Sequence, residues 1–247
     1  MFTFFSKKEY LVDHLNGFVD MHNHILPGID DGAKNVEESI ELIKGFSEFG
    51  VDRFICTPHI MHNYYDNTPK TIKKAFKKLD KALKANQLEN IKVKYAAEHM
   101  IDDNFEHLLQ NDRILLLNSN CLLIEMSYLQ ASINLDVSIK KITQRQIYPV
   151  LAHPERYIYL HKNINIYKKI KNQGILFQLN MLSLTDYYGK EIQQIAFKLL
   201  ENNMYDFIAS DVHNMKHLKY LKEHLILDKK RLDNTLKLIN RTILSML

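Results

Sequence analysis

Residues that can bind a metal ion stand at the ends of several short apolar segments of this 247-residue chain. The first segment ends in Asp20-Met21-His22-Asn23-His24. Because residues i and i+2 of a strand point to the same side, both imidazoles can reach one cation. An isolated His-x-His pair is a weak indication of a site. Five later segments also end in candidate ligands, which are His59, Glu98, Glu125, His153, and Asp211 with His213. Such recurrence predicts a shared metal centre.

The mixture of imidazole and carboxylate groups limits the metals that such a centre would bind. It suits Zn²⁺, Mn²⁺ or Fe²⁺ better than Ca²⁺ or Mg²⁺, which prefer ligand shells made of oxygen alone. Such an ion lowers the pKa of a bound water to about 7, so hydroxide is available near neutral pH without a dedicated base. The chemistry indicated is hydrolysis with hydroxide as the nucleophile.

Alternating strands and helices would have to position these residues. The predicted strands are Gly17–Met21, Val51–Thr57, Ile91–Ala97, Cys121–Met126, Tyr148–Ala152, Gly174–Leu179 and Asp206–Ala209. The predicted helices are Val36–Phe49, Pro69–Ala85, Leu135–Gln146, Glu155–Asn172, Gly189–Asn202 and a last one from about Asp228 onward.

This alternation is typical of an α/β protein with a parallel sheet, either doubly wound or closed as a barrel. The carboxyl ends of parallel strands lie on one side of the sheet, where ligands and catalytic groups collect. A closed barrel brings all these ends around one mouth, whereas an open sheet spreads them along an edge too long for one small site. We therefore predict a seven-stranded barrel.

Composition and charge exclude several classes of protein. With 46% hydrophobic and 25% charged residues and no Pro/Gly-rich linker, residues 1–247 are expected to form one globular domain. A formal net charge of +4 is too small to indicate a nucleic-acid-binding surface. Charged residues interrupt every apolar run well before the roughly 20 residues that a membrane-spanning helix needs.

The cysteines and the start of the chain bear on the compartment. Cys56 and Cys121 lie in apolar runs, where a buried free thiol is the commoner state. The segment Met1–Tyr10 holds only a short apolar patch, and Lys7 and Lys8 follow that patch, whereas a secretory signal places charge before it. We expect a cytoplasmic protein without an export signal.

Taken together and in order, the motifs resemble those of a known superfamily. They are the His-x-His pair with Asp30-Asp31-Gly32, then Thr57-Pro58-His59, Ala97-Glu98, Ile124-Glu125, Ala152-His153-Pro154-Glu155-Arg156 and Ser210-Asp211-Val212-His213. The set resembles the PHP (polymerase and histidinol phosphatase) superfamily. Within it, the chain is most similar to the bacterial tyrosine-protein phosphatases of capsule and exopolysaccharide synthesis, from about residue 17 to about residue 215.

The resemblance implies a distorted seven-stranded β/α barrel with three divalent metal ions at its mouth. Mn²⁺ is the expected metal, with Fe²⁺ or Zn²⁺ as alternatives. The ligands implied are His22, His24, Glu98 and Asp211 for the first ion, Glu98, Glu125 and His153 for the second, and Asp31, His59 and His213 for the third. The choice of Asp31 over Asp30 rests only on the spacing that the family shows.

The resemblance also implies how a substrate would bind. Arg156 stands where the phosphatases have an arginine, and a guanidinium matches the geometry of phosphate. We predict a catalytic and substrate-binding role for it, the alternative being a surface arginine paired with Glu155. His62 and Tyr64, in the loop after His59, are predicted to contact a phosphotyrosine ring or else to cover the edge of the barrel.

Several other residues receive simpler interpretations. His99 follows Glu98 on a strand and should point to the opposite face. The histidines expected to be solvated or without a ligand role are His14, His107, His161, His217 and His224. Where some relatives have an arginine beyond His213, only Lys216 or Lys219 is available, and each would act as a point charge.

The function predicted is hydrolysis of phosphotyrosine in a protein, with the tyrosine-rich tail of a bacterial autokinase as the expected partner. A cysteine-based tyrosine phosphatase is excluded, because the residues six positions after Cys56 and Cys121 are His62 and Ser127 instead of arginine. The alternatives are a small-molecule phosphomonoesterase such as histidinol-phosphate phosphatase, a phosphodiesterase acting on nucleic acid, and a non-catalytic metal-binding scaffold.

Overall fold

Strands and helices alternate along residues 8–247, the part of the chain that this computed structural model describes. The strands are β1 (Glu9–Tyr10), β2 (Val19–Asp20), β3 (Arg53–Cys56), β4 (His59–Ile60), β5 (Lys92–Tyr95), β6 (Glu98–Met100), β7 (Cys121–Glu125), β8 (Tyr148–Ala152), β9 (Leu176–Asn180), β10 (Phe207–Ala209) and β11 (Ile226–Leu227). The α-helices are α1 (Val36–Ser47), α2 (Pro69–Ala85), α3 (Phe105–Gln110), α4 (Leu135–Gln144), α5 (Ile164–Asn172), α6 (Lys190–Glu201), α7 (Met215–His224) and α8 (Lys229–Met246). Most of the N-terminal apolar patch considered above, with Lys7, lies outside the described residues.

Side-chain caps fix where several helices begin. Asn35 accepts a hydrogen bond from the backbone N–H of Glu38 at the start of α1, and Asp228 does the same for Arg231 at the start of α8. Thr68 and Thr71 form a reciprocal capping box before α2, whose first residue is Pro69. The helices on either side of the sheets therefore begin at residues encoded locally.

The main sheets are parallel, as the alternation predicts. Six strands form one sheet in the order β10-β9-β8-β7-β6-β4, and three form another in the order β2-β3-β5. A short antiparallel pair joins β1, near the start of the described chain, to β11, which directly precedes α8. The fold is therefore α/β with parallel sheets, but this sheet topology does not confirm a seven-stranded barrel.

The difference lies just beyond two predicted strands, where the chain forms a further short strand that belongs to the other sheet. The predicted strand Val51–Thr57 is shorter, as β3, and the chain resumes as β4 in the other sheet. Pro58 stands at the break and has no N–H to donate to a strand ladder. The predicted strand Ile91–Ala97 likewise yields β5, and β6 follows it in the six-stranded sheet.

One predicted helix was wrong over half of its length. Glu155–Asn172 was predicted as continuous, yet only its second half, α5, is α-helical. The first half consists of two 3₁₀ turns, Pro154–Arg156 and Ile158–Leu160. The helices α3 and α7 and the strands β1 and β11 were not predicted, since each is short and carries little periodic signal.

Apolar side chains fill the space on both faces of the sheets. A large cluster lies between strands and helices. A smaller one includes Val19, Ile55, Leu123 and Phe207 from the strands, and Met246 at the end of α8 packs into it. Cys56 and Cys121 are buried free thiols. No helix in residues 8–247 has the length and apolar character needed to cross a membrane.

Candidate metal centre

The residues predicted as metal ligands converge at the carboxyl ends of the parallel strands. Their nitrogen and oxygen atoms form four overlapping groups in which all ligand atoms lie within 4.8 Å of one another. The groups are His22, His24 and Asp211; His22, Glu98 and His153; His59, Glu98 and Glu125; and His24, Asp31, His59 and His213. All nine predicted ligands belong to at least one group, so the structure brings the whole set to one place.

Distances between candidate ligands match those expected around a shared ion. His22 Nε2 lies 3.2 Å from Glu98 Oε2 and 3.3 Å from Asp211 Oδ1, and His153 Nε2 lies 3.1 Å from Glu98 Oε1. Two ligands that each bind one ion at about 2.1 Å are separated by about 3.0–3.4 Å at octahedral or tetrahedral angles. The spacing therefore leaves room for divalent cations between these groups.

Several buried atoms in the cluster make no well-aligned hydrogen bond, although other candidate ligands lie 2.8–3.3 Å from some of them. They are His59 Nδ1, Glu98 Oε2, Glu125 Oε1, His153 Nδ1 and Asp211 Oδ1. A buried polar atom without a partner costs about 1–3 kcal/mol, and more when it is charged. Such atoms gathered in one cluster fit a centre that binds metal ions, because an ion would satisfy the carboxylate oxygens together.

Hydrogen bonds behind the imidazoles fix which nitrogen faces the cluster. His22 Nδ1 lies 2.9 Å from Gln178 Oε1, His24 Nδ1 lies 2.7 Å from Asp30 Oδ2, and His213 Nδ1 lies 2.9 Å from the carbonyl oxygen of Asp211. In each case, Nε2 is left for the centre. Partners of this kind orient metal-binding histidines and make them better ligands.

The two adjacent aspartates have different positions. Asp30 is occupied behind His24 and also accepts the backbone N–H groups of Gly32 and His59. Asp31 faces the cluster, with Oδ1 at 3.4 Å from His59 Nε2 and 3.5 Å from His213 Nε2. Geometry thus separates the two residues, which the sequence alone did not.

The charges within the cluster keep the carboxylates of Glu98 and Asp211 ionised. Burial raises the pKa of Glu98, but the charges of His22 and His59 outweigh it and hold this pKa well below its usual range. Burial likewise raises the pKa of Asp211, and His22 and His213 lower it further than burial raises it. Both groups are therefore present in the form that binds metal.

Two of the candidate ligands have a left-handed backbone. His153 has φ 34° and Asp211 has φ 51°, backbone angles that residues other than glycine rarely adopt. Such a conformation costs of order 1–3 kcal/mol and is characteristic of functional sites. The fold therefore accepts strain where these two side chains turn toward the centre.

Two tyrosines enclose the Arg156 side chain. Its guanidinium carbon lies 4.7 Å from the centre of the Tyr128 ring and 4.2 Å from that of Tyr188, a cation–π contact with each ring. Nη1 donates to Asp211 Oδ2 over 3.0 Å. The predicted alternative, a surface pair with Glu155, is wrong, because the buried Glu155 carboxylate accepts from Tyr205 Oη and the Asn180 N–H instead.

A cavity of about 600 Å³ opens above the cluster. Its lining includes most of the candidate ligands, with Arg156, Tyr65, Tyr128, Tyr188 and His217 around them. The Tyr65 ring stacks on His59, with 5.3 Å between ring centres and 14° between planes. The cavity therefore combines a charged floor with aromatic walls, a combination suited to an anionic group on an aromatic ring.

His62 and Tyr64 do not line this cavity. They lie in an adjoining groove instead, and the Tyr64 side chain is exposed. Lys219 lies away from the cavity, since its ammonium pairs with Glu223, and the Lys216 ammonium lies 5.9 Å from the Tyr187 ring centre.

The remaining histidines divide between core and surface. His99 is buried, and its ring bonds to the Leu123 carbonyl, as expected for the opposite face of β6. The prediction of solvation was wrong for His161, which is tied to the Glu155 carbonyl over 2.7 Å, and for the half-buried His217 in the cavity wall. His161 also lies 3.2 Å from Glu191, and the His217 ring centre lies 5.0 Å from that of Tyr187, contacts that no local pattern encodes.

The residues around the ligands escaped sequence reasoning. Gln178, Asp30, Tyr128 and Tyr188 hold ligands or Arg156 in place. For Gln178 a signal existed, because it is a polar residue inside an otherwise apolar strand, β9. The tyrosines lie in loops between strands and helices and carried no such signal.

Comparisons with known proteins agree with this geometry. The family described as capsular polysaccharide synthesis, CpsB/CapC, matches residues 18–237. CapC of Staphylococcus aureus is 30% identical over 221 residues, covering 86% of this chain and 83% of CapC. The tyrosine-protein phosphatase YwqE of Bacillus subtilis (strain 168) is 30% identical over 199 residues, covering 80% of this chain and 78% of YwqE.

A solved structure has a similar fold. It comes from work on YwqE from Bacillus subtilis and CpsB from Streptococcus pneumoniae, described there as unique metal-dependent tyrosine phosphatases. The superposition has a TM-score of 0.75 at 28% sequence identity and covers 91% of this chain and 94% of that chain. The similarity thus extends over almost the whole of both molecules.

Proposed function

Since the chain belongs to the CpsB/CapC family of capsular polysaccharide synthesis, we propose that it is a metal-dependent tyrosine-protein phosphatase. The observation that carries this function is the cluster of partnerless, buried carboxylate and imidazole atoms at the floor of an aromatic cavity. Such a floor accepts a phosphate group through metal ions, while the walls accept the phenyl ring that carries it.

We propose that three divalent ions occupy the centre, with Mn²⁺ as the expected metal and Fe²⁺ or Zn²⁺ as alternatives. His22, His24, Glu98 and Asp211 would hold one ion; Glu98, Glu125 and His153 the second; and Asp31, His59 and His213 the third. One ligand group contains the whole third set and another contains three of the four residues of the first, whereas Glu125 and His153 fall in two separate groups that share Glu98. Ions in such a centre polarise the phosphoryl oxygens and supply a nucleophilic hydroxide at neutral pH.

The two oxygens of Asp211 have separate tasks in this proposal. Oδ2 accepts hydrogen bonds from Arg156 Nη1 at 3.0 Å and Asn180 Nδ2 at 2.7 Å. Oδ1 has no hydrogen-bond partner, so it is available to an ion. The Asp211 carboxylate thus fixes the position of Arg156 relative to the metal centre.

Arg156 would bind the phosphoryl group of the substrate. The two tyrosine rings fix the plane of its guanidinium, and only Nη1 is used by Asp211. The remaining N–H groups are free to bind phosphoryl oxygens as a fork. Because the plane is fixed before the substrate arrives, little rotational freedom of this side chain is lost on binding.

We also propose that the two parallel sheets act as one closed barrel. Backbone hydrogen bonds run from Asp211 N to His22 O over 2.8 Å and from His24 N to Val212 O over 3.0 Å, and Asp20 accepts the N–H and the hydroxyl of Ser210. These contacts connect the ends of β2 and β10, the first and last strands of the two parallel sheets. Closure of this kind would bring every strand end to the same cavity.

The physiological substrate we propose is a bacterial tyrosine autokinase that controls capsule or exopolysaccharide synthesis. The relatives named as tyrosine-protein phosphatases and the description of the family support this choice. A reducing cytoplasm is the proposed location, because both cysteines are buried free thiols. We treat the chain as a single phosphatase domain.

Parallel assays test the function. With Mn²⁺ added, we expect hydrolysis of a phosphotyrosine peptide, and rates at least about 100-fold lower with the matched phosphoserine peptide, histidinol phosphate or single-stranded DNA. Excess chelator should stop the reaction and added Mn²⁺ should restore it. Preference for histidinol phosphate would indicate a small-molecule phosphatase, cleavage of DNA a phosphodiesterase, and metal binding without turnover a scaffold.

A further inference from the structure

A second groove, of about 560 Å³, adjoins the catalytic cavity. Its walls come from the loop after β4, the end of β6 with the turn that follows, and the loop between β7 and α4. Four residues, Met61, Met100, Ser127 and Leu129, line both the groove and the cavity. The groove and the cavity therefore adjoin along these four residues, and the metal centre lies on the cavity side.

Large apolar side chains are exposed in this groove to an unusual degree. Leu129 is 91% exposed, Ile133 is 92% exposed and Tyr64 is 79% exposed. A single exposed apolar side chain is ordinary, but a group of them beside a functional cavity is typical of a binding surface. Leu244, on the surface of α8, is 81% exposed and lines neither the groove nor the cavity.

The loops that form the groove are anchored at their bases. The hydroxyl of Tyr159 donates to the Ser127 carbonyl over 3.0 Å, and the Met126 N–H donates to Tyr157 Oη over 3.0 Å. On the other side, Asp102 Oδ2 accepts the His62 N–H over 2.9 Å. These hydrogen bonds fix the bases of the loops, from which Leu129, Ile133 and Tyr64 project.

We propose that this groove binds the polypeptide that flanks the phosphotyrosine, in an extended conformation and through apolar side chains. The inference rests on the proposed function, because the occupant is defined by the phosphotyrosine held in the neighbouring cavity. Because the groove directly adjoins that cavity, its position favours a substrate chain over an unrelated partner. The carboxylates of Asp102 and Asp103 at the groove favour neutral or basic flanking residues over acidic ones.

The proposal assigns specificity to residues outside the metal centre. Ile133 lines the groove and not the cavity, so it can contact the chain that carries the phosphotyrosine without contacting the phosphate. A small substrate such as p-nitrophenyl phosphate has no flanking chain. The groove should therefore affect peptide turnover alone.

The test compares Ile133→Ser with the wild-type holoenzyme on two substrates. We expect kcat/KM for a phosphotyrosine peptide with apolar flanking residues to fall five- to tenfold, and kcat/KM for p-nitrophenyl phosphate to stay within twofold. Ile133→Leu should retain peptide turnover, and Leu244→Ser is the matched surface control. An unchanged peptide rate in Ile133→Ser, or an equal loss in Leu244→Ser, overturns the proposal.

A double-mutant cycle, in which the enzyme and the peptide are each changed, gives a second measurement. Replacing the apolar flanking residues of the peptide by serine should lower kcat/KM for the wild type by the same factor and leave that of Ile133→Ser nearly unchanged, because the contact is already lost. If the two changes lower kcat/KM independently, so that their effects add in free energy, Ile133 does not contact the flanking residues directly. Self-association that Ile133→Ser abolishes without a change in peptide kinetics would identify a second copy of the chain as the occupant instead.

These outcomes separate the groove from the function. If the metal-loaded wild type hydrolyses neither substrate, the phosphatase assignment fails and the groove proposal fails with it. If the wild type hydrolyses both substrates and Ile133→Ser hydrolyses each of them as fast as the wild type does, only the groove proposal is overturned.

Discussion

The metal centre and the groove beside it share a wall but are built in opposite ways. In the centre, polar side chains are buried, their orientation is fixed by Gln178, Asp30 and Asn180, and the backbone is strained at His153 and Asp211. In the groove, apolar side chains are exposed on loops whose bases alone are anchored. The contrast indicates that the chemistry depends on residues at the strand ends, whereas the choice of substrate depends on residues in the loops.

The two regions should therefore respond differently to mutation. A buried cluster in which each group positions the next is expected to fail as a unit, because each removed group leaves others unsatisfied. An exposed groove should lose affinity in small, nearly independent steps. Substitutions in each region test whether the metal centre and the groove differ in this way.

The largest effect is expected for Asp211→Ala. It removes a candidate metal ligand and the acceptor of both Arg156 and Asn180, so turnover of any phosphate ester should fall by at least about 10³-fold. The fold should persist. His59→Ala is expected to behave similarly, and the exposed Asp233→Ala on α8 serves as control. Near-normal rates in either metal-loaded variant would contradict the ligand assignment.

A smaller loss is expected for Arg156→Ala. Turnover of phosphotyrosine and of p-nitrophenyl phosphate should fall about 100-fold, because a donor to the phosphoryl group is lost. The metal content, measured by elemental analysis, should not change. Arg156→Lys should recover only part of the rate, since an ammonium neither forms a fork nor stacks between Tyr128 and Tyr188. Loss of metal from Arg156→Ala would show that its role is in building the centre.

Gln178→Leu tests whether support behind the ligands matters. The substitution removes the acceptor for His22 Nδ1, and losses of this kind typically weaken metal binding about 10- to 100-fold. We expect roughly tenfold weaker metal binding and an activity that excess Mn²⁺ restores. Gln178→Glu keeps an acceptor and should bind metal as tightly as the wild type. If Gln178→Leu also binds metal with unchanged affinity, the histidine is held by packing alone.

The metal ligands could be predicted from sequence because of where parallel strands end. Polar residues such as Glu125 and His153 directly follow apolar segments, and a parallel sheet brings such positions to one side. The resemblance then sorted them into sites. The choice between Asp30 and Asp31 needed coordinates, since both lie in one loop and only the direction of each side chain distinguishes them.

The remaining features depend on contacts that no local pattern records. The half of Glu155–Asn172 that is not α-helical contains Glu155, which is held by Tyr205 and Asn180, so tertiary hydrogen bonds override helical periodicity there. The end of the strand at Pro58 could be predicted, because proline has no backbone N–H to donate. The transfer of the chain to a second sheet after Pro58 could not. Of the groove, the sequence indicated only the loop with His62 and Tyr64, because the other walls come from loops distant in sequence.

The smallest effect concerns charge at the groove, and it bears most directly on the contrast between the two regions. Asp103 lines the groove and is exposed, so its attraction for a basic flanking residue should be weak and screened by salt. We expect Asp103→Asn to reduce the preference for a lysine-flanked over a glutamate-flanked phosphotyrosine peptide about two- to threefold at low ionic strength. The difference should vanish near 0.5 M salt, and Asp233→Asn should leave the preference unchanged. A salt-independent loss, or an equal loss for p-nitrophenyl phosphate, would mean that Asp103 supports the metal centre and that the two regions are not separate.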